Sequence, residues 1–494
     1  MAETTLQLSL VSHTNVGKTT LARTLLGRDI GEVRDEAHVT LSADMHQMVA
    51  TREGDRLMLW DTPGFGDSAR LAKRLALSDN PLGWFLSQVW DRYRDRAFWS
   101  SQQAVRNVRD QADVVLYLVN AAEDPQDAGY VAPEMRVLDW IGKPVLVLLN
   151  QLGRPRPASE DQADVQRWRS HLANIPCVRS VLAFDAFARC WVQEALLFGE
   201  LAKVVAESKR KAYSRLSAQW LRGRREIFDA SLGVLAERLA RAALDREPVA
   251  EGGWSDRLLG LGIALGMQRE AEDSPRQSAM RALAGRLDTD IRTSSDRMIA
   301  LHGLGGHASA EILTRLARHY ALRERLSEGK AAALGGMVSG ALAGLKADLA
   351  TCGMSFGAGL LVGGVLGALG AAGLARGYNL ARGAAVTSVT WTDEVLDDLA
   401  VSAVLAYLAV AHYGRGRGDW AETEYPAHWQ GTVAAAFALQ QETFRHLWSL
   451  RADADTAGAL GPALHDALAA VAGDVLQRLY PEARVDFGGA QSLD

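Results

Sequence analysis

The sequence predicts an α/β domain with a mostly parallel six-stranded sheet over residues 1–200. An all-α region over residues 201–494 follows, with a Gly-rich apolar hairpin at 331–375. Three observations predict it. An apolar run at residues 6–11 enters a short polar loop that closes on Gly17-Lys18-Thr19, after which Leu21, Leu25 and Leu26 recur at helical spacing. Near-continuous apolar runs at 113–119 and 144–149 read as strands buried on both faces. From Phe198 onward, strand signals give way to long helical patterns.

The first run sets the chemistry. Buried strand, tight loop and helix, in that order, make the context of a phosphate-binding P-loop. The helix start directs free backbone N–H groups and a positive dipole end at any anion in the loop. Gly17 lets backbone approach phosphate, Lys18 reaches the β and γ oxygens, and the Thr19 hydroxyl ligates Mg²⁺. Asn15, Val16 and Thr20 complete the expected nucleotide contacts. The full pattern opens with Gly; here it opens with Ser12. The expected class is therefore an α/β P-loop NTPase domain.

A chain of 494 residues exceeds one ordinary domain. Its 54 basic and 59 acidic side chains leave a net charge of −5, so no global basic field advertises nucleic acid. Cys177, Cys190 and Cys352 lack C-x-x-C spacing, which argues against a disulfide framework or a zinc site. Strand residues begin at Leu6 with no signal peptide before them, so a cytoplasmic location is expected.

Past the first helix, residues 28–39 form an irregular stretch ending at Thr40. In nucleotide switches a mobile loop carries such a Thr to Mg²⁺ and the γ-phosphate, with Thr51 and Thr14 as weaker rivals here. Residues 47–51 and 56–60 flank Glu53-Gly54-Asp55 and read as a hairpin. The second of these runs ends in Asp61-Thr62-Pro63-Gly64. Asp61 stands where a Mg²⁺ partner belongs, and Gly64 offers a bare N–H to a γ-phosphate. Residues 66–111 exceed one crossover helix, and their aromatics, among them Trp84, Trp90 and Phe98, read as local core or as a nucleotide-dependent partner surface. The 144–149 strand ends in Asn150-Gln151-Leu152-Gly153, and the run at 178–183 ends at Phe184-Asp185-Ala186. Ligands bind beyond the carboxyl ends of such strands, so these tips converge on one site.

With these motifs in place, the first 200 residues resemble a translation-factor-class GTPase of the Era/TrmE group. The resemblance implies GTP/GDP and Mg²⁺ as ligands, GTP hydrolysis to GDP and phosphate, and catalytic roles for Lys18, Thr40 and Gly64. It implies a Mg²⁺ shell of Thr19, Thr40 and Asp61, with Asn150 and Gln151 at the base. Two departures stand out. The family's guanine motif is N-K-x-D, but Gln151 and Gly153 replace its Lys and Asp, which leaves Asp185 as the candidate guanine-reading carboxylate. Phe65 replaces the water-orienting Gln that Ras-like members carry after D-x-x-G, so slow hydrolysis is expected. Asn15 matches the Asn with which potassium-activated members hold K⁺, so K⁺-stimulated turnover is expected. A G-domain dimer is among the partners the resemblance allows.

The C-terminal region offers no catalytic constellation. Residues 202–247 read as helix, with a basic cluster from Lys209 to Arg225 that suits a solvated face, anionic lipid or RNA. Residues 349–375 carry 27 residues without a charge, and glycines recur every fourth position at 336, 340 and 344 and again at 359, 363 and 367. That hairpin either dips into a membrane or packs tightly inside a helical domain. Residues 254–267 form a shorter apolar stretch, helical patterns resume at 393–413, 427–450 and 459–479, and 414–418 is a flexible basic turn.

The expected function is a nucleotide-dependent GTPase switch coupled to a helical domain, peripheral at the inner membrane, whose partners are guanine nucleotide and a membrane surface or membrane protein. One alternative is a nucleotide-binding interaction protein with negligible hydrolysis. Another is an Era-like RNA or ribosome assembly factor, weakened by the net charge and the lack of an RNA-module signature; no DNA partner is expected.

Overall fold

The computed structural model describes residues 3–27, 30, 43–66, 68, 70, 73, 96–152, 156–186, 190–248, 275–304, 378–382, 387–413, 426–451, 457–483, 485 and 487. The expectations that rest on Thr40, Gly153, the hairpin at 331–375, the stretch at 254–267, the turn at 414–418 and the aromatics at 84–93 lie outside these residues. Contacts divide the chain into two compact units, one built mainly on residues 1–226 and the other mainly on 227–410 and 421–475.

Six strands form the sheet of the first unit: β1 (Thr5–Ser12), β2 (Asp44–Ala50), β3 (Arg56–Asp61), β4 (Val114–Asn120), β5 (Val145–Asn150) and β6 (Val178–Ala183). Their order is β2-β3-β1-β4-β5-β6, and only the β2–β3 pair is antiparallel. Among the described residues, helices α1 (Lys18–Leu26), α2 (Arg96–Asp110), α3 (Val131–Ile141), α4 (Ala158–Leu172) and α5 (Trp191–Val204) belong to the same unit. The chain adds β3 on one side of β1 and then β4 on the other. This opens a crevice beyond the carboxyl ends of these strands, where α/β sheets bind ligands.

Why the central strands read as unbroken apolar runs is plain from their two faces. In β4, Val115, Tyr117 and Val119 enter one core while Val114, Leu116 and Leu118 enter the other. In β5, Val145, Val147 and Leu149 alternate with Leu146 and Leu148 in the same way. A period of two with both phases apolar requires cover on both faces. Each such side chain contributes about 1.5–3 kcal/mol on burial, which fixes the register of the tips. Phe98 of α2 lies in the first of these cores, supporting the reading of that stretch as crossover helix.

Beyond α5 the chain is largely helical: α6 (Arg210–Leu244), α7 (Pro275–Leu301), α8 (Asp393–Ala411), α9 (Ala427–Leu439), α10 (Gln441–Leu450) and α11 (Leu460–Leu479). The expectation of a purely helical region misses one feature. A three-stranded antiparallel sheet joins β7 (Glu247–Pro248), β8 (Tyr378–Arg382) and β9 (Thr387–Trp391) in the order β7-β9-β8. Pro248 sits on the edge strand, where a missing N–H costs no ladder bond. The run expected at 427–450 is two helices, broken at Gln440 (φ −106°, ψ 7°). Among the described residues no helix is long and apolar enough to cross a membrane.

Several members of the basic cluster around the start of α6 pair with carboxylates. Lys209 Nζ lies 2.7 Å from Asp113, Arg215 pairs with the buried Asp55 at 2.6 Å, and Arg224 with Glu194 at 3.0 Å.

Candidate functional site

Everything at the site hangs on the tips of β1, β3, β5 and β6. Gly17 caps α1 in the left-handed region (φ 92°), with no side-chain cap on the helix. A Cβ there would be strained and would stand 2.8 Å from Asn150 Nδ2, so only glycine fits. The uncapped first turn therefore presents its backbone donors to the loop. Asn15 is exposed at the loop tip with φ 66°, a conformation Asn tolerates better than most residues. Val16 and Thr20 are buried.

Lys18 is 7% exposed, and its Nζ donates to Ser12 Oγ at 2.9 Å and to the His13 carbonyl at 3.4 Å. Burial pulls its pKa down to about 8, against the opposing charges of Asp61 and Glu134. Ser12, standing where the full motif has Gly, thus supplies a hydroxyl to the lysine. Asp61 is 3% exposed; its Oδ2 accepts from Thr19 Oγ1 at 2.7 Å, while its Oδ1 is buried with no hydrogen-bond partner. Burial raises its pKa to about 6, offset in part by the Thr19 bond and by Lys18. Gly64 sits directly over the lysine: a Cβ there would lie 3.0 Å from Lys18 Nζ and from Thr14 Cα.

The backbone of this segment is pinned. Phe65 N donates to Ser12 O at 2.9 Å, and Thr14 N to Phe65 O at 3.2 Å. The Phe65 ring is fully buried in the core with Val11, Tyr117 and Val119. Its side chain is thus a core anchor, and no part of it is available to orient a water at the phosphate end.

At the other end of the crevice Asn150 is fully buried, its Nδ2 donating to Val16 O at 2.7 Å and its Oδ1 accepting from Ala186 N at 2.9 Å. One amide therefore ties the phosphate loop to the tip of β6. Asp185, 5% exposed, accepts from Leu152 N through Oδ2 at 2.7 Å, beside Gln151 in the left-handed region (φ 59°). Asn150, Gln151 and Asp185 come together, as do Lys18, Thr19, Asp61 and Gly64.

Sequence reasoning missed a cluster that joins His13 of the loop to the buried Ser68, Tyr117 and Glu134. The available signal was Glu134, a carboxylate on the helix face that carries Val131, Met135, Val137 and Leu138 into the core.

An orphaned buried carboxylate oxygen beside a hydroxyl and an ammonium suits a hydrated divalent cation and a polyphosphate. The donor set of Thr19 and Asp61 thus fits Mg²⁺. Among the described residues no cluster of three His, Cys, Asp or Glu side chains offers an all-protein metal site.

Comparison with known proteins agrees. Residues 7–151 match a family model described as a 50S ribosome-binding GTPase, and residues 171–470 match one described as a domain of unknown function (DUF3482). A curated relative, GTPase Der of Myxococcus xanthus (strain DK1622), is 33% identical over 150 residues, 29% of this chain and 26% of that protein. The chain thus matches about a quarter of that relative's length. Aquifex aeolicus Era bound to GDP·AlF4⁻ is 18% identical with a TM-score of 0.31, over 41% of this chain and 58% of that one. Era in complex with MgGDPNP and a 16S ribosomal RNA segment gives 17%, 0.32, 42% and 58% for the same measures. A bacterial selenocysteine-specific elongation factor gives 14%, 0.28, 41% and 28%.

Proposed function

The chain belongs to the DUF3482 family and carries a P-loop GTPase domain of the Era/Der type ahead of that region, and we propose that it is a guanine-nucleotide switch with slow intrinsic hydrolysis. The observation that carries this is the set of buried Lys18 and Asp61 with half-buried Thr19 beneath Gly64, at the tips of β1 and β3. Lys18 neutralises phosphate charge, and the Gly64 N–H reports on a γ-phosphate. Thr19 and Asp61 would hold Mg²⁺, which would supply charge stabilisation at the phosphate oxygens. Thr40, the switch residue of this reading, joins them from the sequence alone. Burial of Phe65 means that position 65 offers no side chain to position a water, which favours slow turnover and keeps a binding protein with negligible hydrolysis as the second reading. The TrmE-like element is Asn15, whose exposed position suits a K⁺ beside the phosphates. Phosphate release should rise at least about fivefold when K⁺ replaces Na⁺, a modest share of what one added charge supplies in related chemistry; equal rates would remove that role. The described helices supply no membrane span, and the membrane reading of residues 331–375 rests on their sequence.

Guanine recognition rests on Asp185 in place of the motif carboxylate at 153. A buried carboxylate facing two N–H donors should give GTP at least about a hundredfold preference over ATP. Titration calorimetry with GTP, ATP and XTP tests it. Asp185→Ala should lose the preference, and Asp185→Asn, which exchanges one acceptor for a donor, should gain XTP. An Asp185→Ala protein that still prefers GTP would show that this carboxylate only staples Leu152.

A further inference from the structure

Glu134 is 1% exposed on the buried side of α3, among Val131, Met135, Val137 and Leu138, a costly place for a carboxylate without full hydrogen bonding. Its Oε1 accepts from His13 Nδ1 at 2.8 Å and from the Ser68 hydroxyl, and its Oε2 accepts from Tyr117 OH at 2.7 Å. Burial and the neighbouring Glu134 hold the Tyr117 phenol well above its ordinary pKa of 10, so it stays a donor. His13 is part of the phosphate loop and stacks on Tyr130 with centroids 4.6 Å apart. Ser68 lies just past Gly64, and between them Gly66 N donates to Ser101 Oγ at 3.1 Å.

We propose that Glu134 is a positioning residue that latches the segment after Asp61-Thr62-Pro63-Gly64 to the phosphate loop, holding Gly64 over Lys18 as a terminal phosphate requires. One carboxylate oxygen serves donors from both segments. A shift of Ser68 therefore disturbs the His13 bond, and the phosphate loop senses the position of the switch. This rests on the reading of the site as a nucleoside-triphosphate site and adds the part that tells triphosphate from diphosphate. None of the latch side chains touches the nucleotide in this scheme. Their removal acts through Gly64, which meets only the terminal phosphate.

Ser68→Ala in the full chain is the cleanest test, because it deletes one hydroxyl and leaves the Glu134 bonds to His13 and Tyr117. Affinities for a non-hydrolysable GTP analogue and for GDP are measured with Mg²⁺ present, alongside a thermal melt to confirm folding. The analogue should bind about tenfold more weakly while GDP changes by less than about twofold, as loss of one charge-assisted hydrogen bond would give. Ser68→Thr, which keeps the hydroxyl, should restore the ratio. Equal weakening of both nucleotides, or no change in either, would overturn the latch and leave a structural cluster. Failure of the wild-type chain to bind either nucleotide would instead overturn the nucleotide site itself, and the latch with it.

Discussion

Lys18→Ala is expected to weaken GTP binding by at least about a hundredfold, the order that loss of a buried charge-assisted phosphate contact produces. Among the described residues the lysine hydrogen-bonds to neutral oxygen, Ser12 Oγ and the His13 carbonyl, and its burial holds its pKa near 8. At neutral pH it is mostly charged and under-solvated, so a phosphate oxygen is the partner that most relieves it. The same cost appears in stability. Between pH 8 and 10.5 the unfolded chain holds a proton on this residue that the folded chain does not, so its contribution to stability rises with pH across that window. Below pH 8 the charged form burdens the ligand-free fold. Lys18→Met should therefore melt higher than wild type at pH 7 while failing to bind nucleotide. Calorimetric titration together with melts at pH 7 separates the two effects, and binding retained within about threefold would remove Lys18 from the phosphate site.

The fold of the first unit was legible because its physics is local. Buried parallel strands must be apolar on both faces, so β4 and β5 announce themselves, and the loop before α1 carries its chemistry in consecutive residues. What escaped depends on residues far apart in the chain. His13, Ser68 and Glu134 are separated by up to 121 positions, and each alone looks ordinary. Phe65 was read only as the absence of a water-orienting Gln after Asp61-Thr62-Pro63-Gly64; that its ring fills the core, beside the parallel bridge of His13 to Phe65, depends on contacts with Tyr117 and Val119 more than fifty positions away. Asn150 was expected at the base; what the fold adds is that its fully buried amide joins Val16 to Ala186. The small sheet of β7, β8 and β9 was missed because its strands hold two to five residues, and the two longer ones end in the mixed runs Tyr378–Arg382 and Thr387–Trp391. The break at Gln440 carries neither Gly nor Pro, the punctuation a helix end usually shows.

Asp61→Asn should push binding and stability in opposite directions. Asp61 buries one oxygen against the Thr19 hydroxyl and the other against nothing, and its pKa stands at about 6 where 3.8 is ordinary. The folded chain therefore holds this proton more tightly than the unfolded chain. Its stabilising contribution is complete below pH 3.8 and lost as pH rises through about 6. At pH 7 the ligand-free protein carries a desolvated carboxylate that costs about 1–3 kcal/mol. Removing the charge should raise the melting temperature of the ligand-free protein at pH 7 by about 2–12 °C, from about 2–4 °C per kcal/mol for a domain of this size. The gain over wild type should vanish as pH falls toward 4. In the same protein GTP should bind at least about tenfold more weakly, and chelating Mg²⁺ should change its affinity little, whereas wild type should lose affinity sharply on chelation. A melting temperature that falls together with binding would mean that Asp61 serves the fold through Thr19 alone. The expected divergence has a physical source. The charge that burdens the ligand-free sheet is the charge a Mg²⁺-bound triphosphate would neutralise, so ligand binding returns to the fold the stability that Asp61 withholds from it.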